Sequence, residues 1–124
     1  MDLNIDIMDL SVDEIKDLLG KRVVCTKGEI GGLLIDCQKN PQAGEIVGYY
    51  NGDINIEFDN YIGGNSSEWR RECTYRDIKD GHGWFISSHF LKSEFKDDYK
   101  YNIIFEENIN LELSDKQSLN SLFL

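Results

Sequence analysis

The chain is poor in proline, alanine and histidine: Pro41, Ala43, His82 and His89 are the whole supply in 124 residues. Two histidines leave little material for a histidine-rich metal centre or for proton transfer near neutral pH. No apolar run approaches the ~18 residues that a membrane-crossing helix needs, so no membrane partner is expected. The start, Met1-Asp2-Leu3-Asn4-Ile5-Asp6, has no basic segment, and a secretory signal is not expected. Three cysteines, Cys25, Cys37 and Cys73, cannot all pair within one chain. Reduced thiols in a cytoplasmic protein are the expectation. The absence of any short Cys-x-x-Cys knuckle speaks against a zinc site made from these cysteines and His82.

Signatures of catalysis are missing as well. There is no Gly-x-x-x-x-Gly-Lys-Ser/Thr, no Gly-x-Gly-x-x-Gly and no His-Glu-x-x-His. Lys27-Gly28-Glu29-Ile30-Gly31-Gly32 is a plain glycine loop. His82 sits between Gly81 and Gly83 without a serine or cysteine elbow, and reads as a turn residue. His89 falls in an expected 3₁₀ turn over 87–91. No carboxylate pair stands out as a glycosidase dyad. The sequence therefore predicts a non-enzymatic binding protein with no cofactor, no metal and no catalytic residue.

Negative charge is abundant. The net charge is −10, with −5 in residues 1–20, −1 in residues 21–92 and −4 in residues 93–124. A field of this sign disfavours direct binding to nucleic acid or to an anionic membrane and suits a basic protein partner. The division predicts a single domain over 1–124: an acidic N-terminal strand and helix (1–19), a nearly neutral barrel (20–92) and an acidic C-terminal extension (93–124).

Patterning fills in the elements. Leu3, Ile5 and Ile7 alternate, as in a short edge strand. Ser11-Val12-Asp13-Glu14 is a capping box opening a short helix, and Gly20 suits its left-handed end. Residues 21–26 are rich in β-branched residues and predict a strand. Residues 27–32 read as a loop, 31–36 as a second short strand and 40–44 as a turn. Residues 45–50 and 53–58 flank Asn51-Gly52, the strongest short-range hairpin signal. In the second arm Ile54, Ile56 and Phe58 are expected in the core, and Asn55, Glu57 and Asp59 on a wet face. Residues 60–80 read as a long insertion, a frequent location of function. Trp84-Phe85-Ile86 resumes the sheet, 101–105 is a strand, and Ile109, Leu111 and Leu113 alternate. Ser114-Asp115-Lys116-Gln117 opens a last short helix.

Gly20-Lys21-Arg22-Val23-Val24, Gly44-Glu45-Ile46-Val47-Gly48, Ile54-Asn55-Ile56-Glu57-Phe58-Asp59 and Trp84-Phe85-Ile86 recur in the order of a small bent barrel. Residues 20–91 thus resemble the small Src-homology-3-like barrels of bacterial and phage proteins. The resemblance implies a mainly β (β+α) fold: a small antiparallel barrel with an N-terminal helix, the 60–80 insertion and a C-terminal strand and helix. It implies no activity. The heavy use of isoleucine (14) and asparagine (10) beside a single alanine is the composition of an AT-rich genome, such as that of a low-GC bacterium or its phage. Small acidic phage inhibitors of bacterial immunity, anti-CRISPR proteins among them, share this look.

Three groups of residues are candidates for contact. Asp2, Asp6, Asp9, Asp13 and Asp17 would meet a cationic groove meant for phosphates, as an inhibitor of a nucleic-acid-binding defence protein would require. Tyr49, Tyr50, Trp84 and Phe85 would line an aromatic groove for a partner segment. Trp69, Arg70, Arg71, Tyr75 and Arg76, with Lys79, form the alternative: a ligand or nucleic-acid site of arginine forks and aromatic faces. Against that alternative, the arginines would pair with the chain's own acidic flanks. A small enzyme using His82 is the second alternative. An exposed edge strand also leaves a homodimer open.

Overall fold

A computed structural model describes residues 16–50, 52–66, 74–87, 90 and 98–107. Within them the strands are β1 (Arg22–Lys27), β2 (Glu29–Ile30), β3 (Ile35–Asp36), β4 (Gln42–Tyr50), β5 (Asp53–Phe58), β6 (Gly83–Ser87) and β7 (Asn102–Phe105). The fold is mainly β. Five strands form one antiparallel sheet in the order β6-β5-β4-β1-β7, and β2 and β3 form a separate hairpin. Among the described residues β6 and β7 do not pair with each other.

The β4–β5 hairpin turns where Asn51-Gly52 predicts. Gly52 takes φ +87°, and Tyr50 pairs with Asp53. The ladder then slips: Ile46 faces Ile56 while Gly48 faces Asn55, so Val47 is an extra residue on the β4 side. Such a bulge bends the strand and sharpens its twist. Ile46, Ile54, Ile56, Phe58 and Ile86 share one face with Val23, Cys25 and Ile103, and Ile30, Cys37, Ile62 and Tyr101 close over them. Each isoleucine buried in this way contributes roughly 2 kcal/mol from the removal of apolar surface from water. Val24, Val47 and Ile104 are buried outside that cluster. The run Val23-Val24-Cys25 is therefore apolar on both sides because β1 is covered on both faces.

Several expectations are corrected. The strand over 31–36 shrinks to β3, and its apolar start is instead the turn of the β2–β3 hairpin, with Gly31 at φ +74° and Leu34 at φ +52°. The supposed loop 27–32 contributes β2. The supposed turn 40–44 is strand from Gln42 onward, because Gln42 pairs with Cys25 and its side-chain oxygen accepts from Asn60 Nδ2 at 3.0 Å. Asn55 is not wet: it is 0% exposed, since residues 74–79 reach this face and displace water. Thr74 bridges Gly48, the Tyr75 amide donates to Val47 O at 2.9 Å, and the Lys79 amide donates to Glu57 Oε2 at 2.8 Å.

The described parts of the 60–80 stretch, residues 60–66 and 74–80, are built into the fold rather than hung on it. Ile62 and Ile78 are buried. Ile62 N and Gly64 N both donate to Gly81 O, Asn65 and Gly83 exchange backbone hydrogen bonds, and Gly32 N donates to Gly63 O. Glycine is required for that approach: a Cβ on Gly64 would stand 2.0 Å from Gly83 O, and one on Gly31 1.9 Å from Ile62 O. The expected helix over 11–19 lies mostly outside the described residues. Of that stretch only residues 16–19 are described, as a turn with Leu18 and Leu19 packed on the core, and Gly20 follows at φ +87°. The edge strand at 3–7, the 3₁₀ turn at 87–91 apart from Ser87 and Phe90, and the elements after 107 also lie outside them.

Candidate functional site

The bulge at Val47 places Glu45 directly opposite Glu57 on the face away from the core. Two carboxylates in that position repel. Arg76 resolves the conflict. Its NH1 and NH2 donate to Glu57 Oε2 and Oε1 at 3.0 and 2.9 Å, and its Nε donates to Glu45 Oε2 at 3.3 Å. Tyr75 Oη donates to the same Glu45 oxygen. Burial is the largest single influence and pushes both carboxyls up, but the Arg76 hydrogen bonds and charge oppose it. Tyr75 adds to this at Glu45 and the Lys79 amide at Glu57, and both carboxyls end below the ordinary glutamate range. The hydrogen bond to Glu57 in turn raises Arg76 above its ordinary value. The Tyr75 hydroxyl is pushed up by its bond to Glu45.

Arg22 makes a second, more exposed network. Its NH1 donates to Asp59 Oδ1 at 2.8 Å, its NH2 to Asp59 Oδ2 at 2.5 Å, and its Nε to Glu106 Oε2 at 3.0 Å. The fork on Asp59 holds that carboxyl below its usual range. A shallow cavity of about 260 Å³ beside this network is lined by Lys21, Arg22, Phe105, Glu106 and Glu107. Its walls carry both signs of charge, and it falls below the ~300 Å³ at which small-molecule pockets usually begin.

His82 is held by its surroundings. Its Nδ1 donates to Phe58 O at 2.8 Å, its carbonyl accepts from the Phe58 amide at 2.8 Å, and its ring meets Tyr61 edge-on at 6.0 Å. Cys25 and Cys37 are buried free thiols in one core cluster, and no group of three or more metal-ligating side chains forms among the described residues.

The aromatic candidates do not share a face. Tyr49 and Trp84 pair with Ile54 and Ile56 and pack on the core, whereas Tyr50 and Phe85 pair with Asp53 and Asn55 and project to the other side. Asp17 is exposed. Asp2, Asp6, Asp9 and Asp13, and Trp69, Arg70 and Arg71, lie outside the described residues. Of the arginine group, Tyr75 and Arg76 come together, and they come together on Glu45 and Glu57 rather than on the acidic flanks.

Sequence reading missed three features. Glu45 and Glu57 as a pair depend on the bulge. Arg22 with Asp59 and Glu106 depends on β1 lying between β4 and β7. The Leu33-Leu34 turn was hidden by its own hydrophobicity; the adjacent Gly31-Gly32 was the available signal. No family model, curated protein or solved structure matches this chain.

Proposed function

We propose that the chain is a non-enzymatic protein-interaction module on a Src-homology-3-like barrel that uses its negative field to hold a basic protein surface. The strand order β6-β5-β4-β1-β7, a three-strand meander extended through β1 to β7, supports the barrel. The observation that carries the function is the internal use of Arg22 and Arg76. Both guanidinium groups are committed to two carboxylates each, so neither stands ready for an external phosphate, while the whole chain keeps −10. One concrete form is a phage-encoded inhibitor that occupies the cationic groove of a nucleic-acid-binding defence protein.

The engagement of Arg76 weighs against the rival ligand or nucleic-acid site of Trp69, Arg70, Arg71, Tyr75 and Arg76. A thermal-shift screen with nucleotides and short oligonucleotides separates the two readings: stabilisation by any of them favours the rival. Affinity capture from a low-GC bacterial lysate, repeated with Asp2, Asp6, Asp9, Asp13 and Asp17 changed together to asparagine, tests the acidic contact. The expected result is a basic partner retained at low salt and released by high salt or by the substitutions. Retention unchanged by both overturns the reading.

A further inference from the structure

Two leucines stand in the open at the turn of the β2–β3 hairpin: Leu33 is 59% and Leu34 67% exposed. Leu34 is also the one non-glycine residue at positive φ among the described residues. That conformation crowds a bulky side chain, and residues held so tend to gather at sites of contact. The turn is tied down all the same. Leu34 N donates to Gly31 O at 3.2 Å, Gly32 N to Gly63 O at 2.9 Å and Leu33 N to Ile62 O at 3.1 Å. Directly below it, Ile30 and Ile35 turn to the core, and Glu29 and Asp36 face each other across the two-residue ladder. Neither carboxylate has an ion pair among the described residues.

We propose that this hairpin tip docks into a protein partner offering an apolar pocket rimmed by lysine or arginine. A pocket of that kind removes both leucines from water and neutralises two carboxylates that repel each other. The net charge of −10 selects the partner: it opposes an anionic lipid surface and a second copy of this chain. The inference rests on the interaction reading above and names the contact within it.

The test uses the full chain labelled with ¹⁵N and, as probe, an amphipathic peptide of leucine and lysine. The expected result is saturable shifts at Glu29, Gly31, Gly32, Leu33, Leu34 and Asp36, absent with a leucine–glutamate peptide. Affinity should fall at least tenfold in the Leu33→Ser/Leu34→Ser double variant. In Leu34→Gly, affinity should fall while the melting temperature holds or rises, because glycine accepts this φ; a merely structural leucine would lower it. Unchanged affinity in the double variant, with shifts confined to other acidic residues, overturns the inference and leaves the interaction reading standing. No binding by the lysine peptide at all overturns both. The same shifts with phosphatidylcholine–phosphatidylglycerol vesicles, or a dimer abolished by the double variant in sedimentation, would assign the tip to lipid or to self-association and overturn the proposal.

Discussion

Replacing Arg76 with alanine would leave Glu45 and Glu57 opposite each other with no cation between them. The size of the effect follows from burial. Breaking a fully buried ion pair costs about 3–5 kcal/mol, and an exposed pair is worth about 0–1 kcal/mol. The side chains of Arg76, Glu45 and Glu57 are 33%, 21% and 13% exposed, between these limits and nearer the first. We expect a loss of about 2–3 kcal/mol at pH 7, or a fall in melting temperature of roughly 8–12 °C for a domain of this size. The pH dependence has a definite sign. In the parent protein the folded carboxyl pKa values are depressed, so their stabilisation is present above the unfolded value of 4.5 and is lost as pH falls through the folded values. In Arg76→Ala, burial and mutual repulsion raise both carboxyls, so acidification relieves the variant. The stability gap should narrow from pH 7 to pH 4. Calorimetry across that range measures it, and adding Glu57→Gln to the variant should recover part of the loss. A variant as stable as the parent at pH 7, or a gap that widens on acidification, refutes the reasoning.

Further outcomes follow from particular atoms. Asn55 is fully buried with neither side-chain polar atom bonded, so Asn55→Leu should stabilise by about 1–2 kcal/mol in a thermal melt. Gly64→Ala should cost about 3 kcal/mol or prevent folding, because its Cβ would meet backbone at 2.0 Å, whereas Gly52→Ala at the hairpin turn should cost only about 1 kcal/mol. The Cys25 thiol is pushed up by the neighbouring Cys37 sulfur and by burial, and both thiols are shut off from solvent in the core. Neither core thiol should react with a colorimetric disulfide reagent at pH 8 until denaturant is added.

The parts that were legible in the sequence were those fixed by local chemistry. Asn51-Gly52 set the hairpin because two adjacent residues there tolerate positive φ, and β-branched residues set β1. The parts that were not legible depend on residues far apart. A regular two-residue hairpin would place Glu45 opposite Phe58; one extra residue at Val47 moves it opposite Glu57 and creates the Arg76 site. Nothing in the composition of 45–50 marks that slip. Asn55 alternates as a solvent-facing residue should, yet segments distant in sequence cover its face. Leu33 and Leu34 look like strand because hydrophobicity usually means burial, and here it means a turn beside a backbone approach that only glycine allows.

The central claim is that this molecule holds a basic protein partner through negative charge. The most direct measurement is the equilibrium affinity for the captured partner between 50 and 500 mM salt. The account predicts that affinity falls by at least tenfold over that range, because screening shortens the reach of exposed charge from about 14 Å to about 4 Å. Affinity that stays constant across the series would contradict it.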